Sequence, residues 1–119
     1  MFKAHKEFHT ISMDEGWSTP PGYPAGIQEK ILSGSLDEDK KVGNRTRLLR
    51  FDPGVKTTEP FEHDYFEEVY LVSGDLIVGR DGEFGSFEPN TYASRPPGTP
   101  HGPFESKTGC LLVEIHFYE

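Results

Sequence analysis

The stretch "TTEPFEHDYFEEVYLVSG" (residues 57–74) admits two secondary structures, and the choice between them decides the fold. As a helix it would start with Thr58 near the cap and Pro60 in the first turn, and His63 and Glu67 would lie one turn apart. As a strand it is better supported. "VYLV" is made of strand formers, and Gly74-Asp75 leads straight into "LIV", as a hairpin does.

The rest of the chain agrees with strands. Thirteen glycines and ten prolines among 119 residues leave little room for long helices and punctuate short apolar segments instead. The segments that read as strands are 26–33, 45–52, 67–73, 75–79, 91–95 and 110–118, separated by turn chemistry such as Pro53-Gly54, Asp81-Gly82 and Pro97-Gly98. The last of them alternates cleanly, with Leu111, Val113, Ile115 and Phe117 on one side and Leu112, Glu114, His116 and Tyr118 on the other. Many short strands with Gly/Pro turns predict an all-β antiparallel sandwich or barrel. The length fits one domain, so residues 26–118 are expected to form it, with 1–25 as an N-terminal arm. Trp17 and Tyr23 in that arm need burial, for which a partner subunit is a natural place, so a homodimer is expected.

A net charge of −8 argues against nucleic acid and against anionic membrane surfaces as partners. No apolar run approaches about 18 residues, so no membrane span is expected. The single cysteine, Cys110, cannot form an internal disulfide and reads as apolar packing, and with no secretory signal at the start the expectation is a soluble cytoplasmic protein.

His63 and Glu67 would be separated by roughly 13 Å along a straight strand, too far to share an ion. They converge only if the chain bends at Asp64-Tyr65-Phe66, so that His63 ends one segment and Glu67 begins the next. A third residue is aimed by "PPGTPHGPF" (96–104), where Pro100 and Pro103 remove most of the backbone freedom around His101.

These residues stand at the spacing of two sequence motifs. Gly54, His63, Glu67 with three residues between, and Gly74 with six more between match one; Pro96, Gly98 and His101 match Pro-x-Gly-x-x-His, the other. In this order they resemble the two motifs of the small RmlC-like cupins, over about residues 44–118. The similarity is to acetylacetone-dioxygenase-like or ChrR-like members. The resemblance implies a single cupin domain, a double-stranded β-helix or antiparallel jelly-roll barrel with its site inside. It also implies one divalent transition metal, Fe(II) first, with Zn, Mn or Ni as alternatives. Phe61 replaces the first histidine of the usual His-x-His pair, and Glu105 stands where the second motif ends in Asn. What carries over is His63, Glu67 and His101, the two-histidine, one-carboxylate composition of non-haem iron oxygenases. Glu59 has the strand parity of His63 and is a candidate fourth ligand, whereas Glu62 and Asp64 should face away. Phe61, Tyr65 and Phe104, together with Phe66, would exclude water, and the first three are candidates to contact substrate. His116 is left open between barrel exterior, cavity wall and subunit contact.

The function this implies is a metal-dependent dioxygenase acting on a small oxygenated organic molecule. Three other functions stay open: a non-redox metal-dependent lyase or isomerase, a small-molecule-binding module without catalysis, and a metal-free barrel like the sugar-nucleotide epimerases, which need a catalytic histidine with an acidic partner that nothing here marks. His63 and His101 also admit a structural reading, as hydrogen-bonded histidines of a barrel that has lost its metal.

Overall fold

A computed structural model describes residues 3–119; residues 1 and 2 of the expected arm lie outside the described residues. Eight strands follow in chain order: β1 (Ile27–Asp37), β2 (Val42–Phe51), β3 (Phe66–Gly74), β4 (Leu76–Val78), β5 (Gly85–Phe87), β6 (Tyr92–Arg95), β7 (Phe104–Glu105) and β8 (Cys110–Phe117). One 3₁₀ turn, Arg80–Gly82, separates β4 from β5. The segment 57–74 is therefore not a helix: its second half is β3, and Gly74, at a φ of 84°, turns the chain into β4. A Cβ there would collide with the carbonyl oxygen of Gly109, so only glycine allows this hairpin to pass so close to the chain entering β8.

The strands form two antiparallel sheets, one in the order β1-β2-β8-β3-β6 and one in the order β5-β4-β7, the two-layer architecture of a jelly roll. β1 runs four residues beyond its expected end, because pairing with β2 carries it through the apolar-poor "GSLD" to the turn at 38–41. β5 and β7 have no alternation to announce them and exist only as partners of β4.

Register gives the inner face of the large sheet a gradient. At one end Phe51 and Cys110 face each other across β2 and β8; next come Leu49, Leu112 and Leu71 across β2, β8 and β3. These side chains form the apolar core with Ile27, Val69 and Leu76, and burial pushes the Cys110 thiol up to about 11, as befits packing and not a nucleophile. The next row holds Arg47 against Glu114. The last row holds Arg45, His116, Glu67 and Arg95 on β2, β8, β3 and β6, each in register with the next. The polar end of the interior is thus built by four adjacent strands.

The arm before β1 lies on the chain's own barrel. Ser18 pairs with Glu29, the Arg50 guanidinium sits 4.0 Å from the centre of the Trp17 ring, and Tyr23 stacks on Phe61 at 4.9 Å. Trp17 and Tyr23, for which a partner subunit is a natural place, are already half-buried within one chain. No helix among the described residues is long and apolar enough to cross a membrane.

Candidate metal centre

His63 and His101 are carried by two loop segments that hydrogen-bond to each other like short strands. Phe61 and His101 exchange both backbone hydrogen bonds, at 2.7 and 2.9 Å, and the Gly98 N–H donates to the His63 carbonyl at 2.8 Å. The left-handed Gly98 and Gly102, with φ of 79° and 88°, let the proline-rich loop turn tightly enough to make these contacts. The imidazoles of His63 and His101 come to 4.6 Å, edge to face. The chain bends at Asp64-Tyr65, where the spacing required it, and Glu67 then enters as the second residue of β3.

Glu67 is the hub. Its Oε2 lies 3.4 Å from His63 Nε2, and its Oε1 lies 3.6 Å from His101 Nε2. One ligand atom from each of the three residues lies within 4.8 Å of the others. Their side chains are 14, 3 and 8 % exposed for His63, Glu67 and His101, so the cluster is largely shielded from solvent. His63 Nε2 is buried and makes no hydrogen bond. An unsatisfied buried ring nitrogen is costly unless something else occupies its lone pair.

The electrostatics suit a cation. Burial alone would raise the Glu67 carboxyl. The imidazoles of His116 and His63 close beside it outweigh that and hold it well below the usual carboxylate range. His101 is shifted down, chiefly by burial, and is neutral at physiological pH. Its Nδ1 lies 3.0 Å from the Thr99 carbonyl, which can only accept, so the proton sits on Nδ1 and Nε2 presents a lone pair toward Glu67.

Two more residues complete the surroundings of Glu67. His116 Nε2 is 2.7 Å from Oε2, and Arg95 Nη1 donates to Oε1 at 2.7 Å. His116 is fully buried. Sequence reasoning left its role open because alternation puts it on one of two faces without saying which; pairing of β8 between β2 and β3 decides for the interior. Glu114, Glu67 and His116 form a second group with ligand-type atoms within 4.8 Å.

The remaining candidates divide. The Glu59 side chain is 76 % exposed and turned to Arg80 at 3.4 Å, so the structure does not bring it to the cluster. Parity along an extended segment fails there because Thr58 and Glu59 form a bend. Glu62 and Asp64 are exposed. Phe61 and Phe104 line a small cavity of about 30 Å³ with Tyr23, Glu67, Arg95 and His101. Tyr65 lies outside that lining; it stacks flat on His63 at 4.3 Å and backs the ring. Phe66 faces the other way and stacks on Phe117 at 5.1 Å. A wider cleft of about 420 Å³ opens between the sheets at the β6 edge, lined mostly by apolar side chains, and Arg95 borders both spaces.

No family model matches the sequence. Over 73 residues, 57 % of this chain, it is 32 % identical to human pirin, of which that stretch is 25 %, so the match spans only a quarter of that protein. Among solved structures it superposes on an RmlC-like cupin from Shewanella frigidimarina with a TM-score of 0.69 at 18 % identity, over 100 % of this chain and 96 % of the other. It also superposes on an acetylacetone dioxygenase from Acinetobacter johnsonii with a TM-score of 0.70 at 18 % identity, over 96 % and 75 % of the two chains. Both likenesses are in backbone. Together with the two-sheet antiparallel topology, they show that this chain has the fold of the RmlC-like cupins.

Proposed function

We propose that this cupin domain holds one divalent transition metal, Fe(II) first, on His63, Glu67 and His101, and acts as a dioxygenase on a small oxygenated organic molecule. The observation that carries this reading is the buried His63 Nε2 with no hydrogen-bond partner, facing an ionised carboxylate and the lone pair of a neutral imidazole. Two imidazoles and one carboxylate are the donor set of non-haem Fe(II) oxygenases, and Zn, Mn or Ni would also accept it. When bound, such an iron supplies the redox chemistry by which O₂ reacts with a closed-shell organic molecule, both oxygen atoms entering the products.

The chain's own residues supply the rest. Tyr23, Phe61 and Phe104 exclude water from the cavity beside Glu67. Arg95 stands between that cavity and the apolar cleft at the β6 edge, a path suited to an apolar molecule carrying an oxygen function toward the arginine. His63 is kept in place by the stacked Tyr65 ring and His101 by the Thr99 carbonyl.

The test is the metal content of protein purified without chelators, followed by anaerobic Fe(II) loading and O₂ uptake with small diketones and phenolic ketones. Stoichiometric iron and substrate-dependent uptake support the reading. Bound zinc or nickel without uptake would replace the oxidative reaction by Lewis-acid chemistry, and protein that takes up no metal would overturn the centre altogether.

A further inference from the structure

Two groups of metal-ligand type share Glu67: His63 and His101 on the loop side, and Glu114 and His116 on the sheet. Hydrogen-bond direction separates them. Arginine has donors and no acceptor. Arg45 Nε lies 2.8 Å from His116 Nδ1, so Nδ1 carries the lone pair and the single ring proton is on Nε2. That Nε2–H donates to Glu67 Oε2 at 2.7 Å. Both nitrogens of His116 are therefore engaged, one accepting from Arg45 and one donating to Glu67. His101 is wired in the opposite sense, and His63 Nε2 has no hydrogen bond to give up.

We propose that His116 is not a ligand but the positioning residue of the centre, locked by Arg45 in the Nε2–H form so that it holds the carboxylate of Glu67 for the ion. This rests on the metal reading above. Arg95 performs the matching task on the other oxygen, so Glu67 is held at Oε2 from β8 and at Oε1 from β6. Three strands thereby fix the rotation of one carboxylate. The sheet-side group takes no cation. Glu114 Oε1 already accepts from Arg47 at 2.8 Å, and an ion there would face Arg45 and Arg47 at close range. Outer partners of this kind fix ligand orientation in metal sites and account for about 10- to 100-fold of metal affinity.

Two measurements test this. In the unsubstituted, metal-free protein, long-range ¹⁵N–¹H correlation should show His116 as a single Nε2–H tautomer with a slowly exchanging proton; an Nδ1–H tautomer or an imidazolium would overturn the proposal. With Co(II) as probe, calorimetric titration should give binding weakened about 10- to 100-fold in His116→Leu. His116→Gln, whose amide can donate to Glu67 and accept from Arg45, should stay within a few-fold of the unsubstituted protein. If His116→Gln lost Co(II) as completely as His101→Ala, His116 would be a ligand and the proposal wrong. Should His116→Leu fail to fold, the glutamine variant and the tautomer still decide. Failure of the unsubstituted protein to bind Co(II) would sink the metal reading and this inference with it, whereas Co(II) binding together with the wrong tautomer would sink the inference alone.

Discussion

Arg47 is the residue whose replacement should be felt most throughout the barrel. Its side chain is 3 % exposed, with Glu114 at 2.7 and 2.8 Å, Glu29 at 2.9 Å and the Tyr23 hydroxyl at 3.3 Å. Arg47→Met keeps most of the volume and removes the charge. What remains is the Glu114 carboxylate, 5 % exposed, with its main compensation gone. Breaking a buried pair from one side costs about 3–5 kcal/mol, because the abandoned charge stays buried. A chain of 119 residues has about 6–18 kcal/mol of stability to lose, so the variant should fold but melt roughly 10–20 °C lower. The pH dependence gives a sharper signature. Burial pushes the Glu114 carboxyl up, but the charge of Arg47 and the contact with His116 hold it below its ordinary value. In the native protein Glu114 therefore contributes stability that is present above the unfolded carboxyl pKa and lost as pH falls. Without Arg47, burial wins and the folded pKa rises above the unfolded one, so ionising Glu114 opposes folding as pH rises. The deficit should be largest near pH 7 and smaller at about pH 5. Guanidinium unfolding of both proteins at the two pH values measures it, and Arg47→Met with Glu114→Leu should recover most of the loss. A deficit below about 1 kcal/mol at neutral pH, or one that grows on acidification, would refute the reasoning.

His101→Ala should abolish metal uptake while leaving the thermal transition of the metal-free protein within a few degrees, since the ring borders a cavity; full occupancy by elemental analysis would remove His101 from the centre. Phe61→His puts an imidazole where the ring now lies 6.1 Å from that of His101, and should tighten Co(II) binding while slowing turnover, because a fourth protein ligand leaves fewer open positions. Unchanged affinity would mean that position 61 does not face the ion. Glu59→Gln should leave Co(II) affinity unchanged, as its carboxylate is exposed and turned to Arg80; a tenfold loss by titration would show that the segment moves inward when the ion binds.

Much of this was legible in the sequence where one residue type had one physical use. Gly74 had to be a tight turn, and the distance between His63 and Glu67 demanded a bend that falls at Asp64-Tyr65. The proline-flanked His101 arrived where the rigid loop aimed it. Glu59 was misplaced because strand parity was extended into a segment that bends at Thr58-Glu59. His116, Arg45 and Arg95 carried no local signal. Each is an ordinary polar residue in an alternating strand, and what joins them is cross-strand register, a relation among β2, β8, β3 and β6 that no single segment contains. The arm showed a similar limit: Trp17 and Tyr23 needed burial, but the surfaces that receive them, Arg50 and Phe61, are far away in the chain.

The row Arg45–His116–Glu67–Arg95 also makes the barrel self-checking. Because side chains alternate, slipping β8 by one residue would expel His116 and Glu114 together and pull Ile115 and Val113 inward. Arg45 and Glu67 would lose His116, and Arg47 would lose Glu114, in the same step. Misregistered chains are thus penalised as a block and cannot drift through a series of nearly native arrangements. The imidazole proton of His116 is correspondingly a clock for assembly: in a refolding experiment its protection from exchange should appear only when all four strands are in place, later than the backbone protection of the hairpin between β3 and β4.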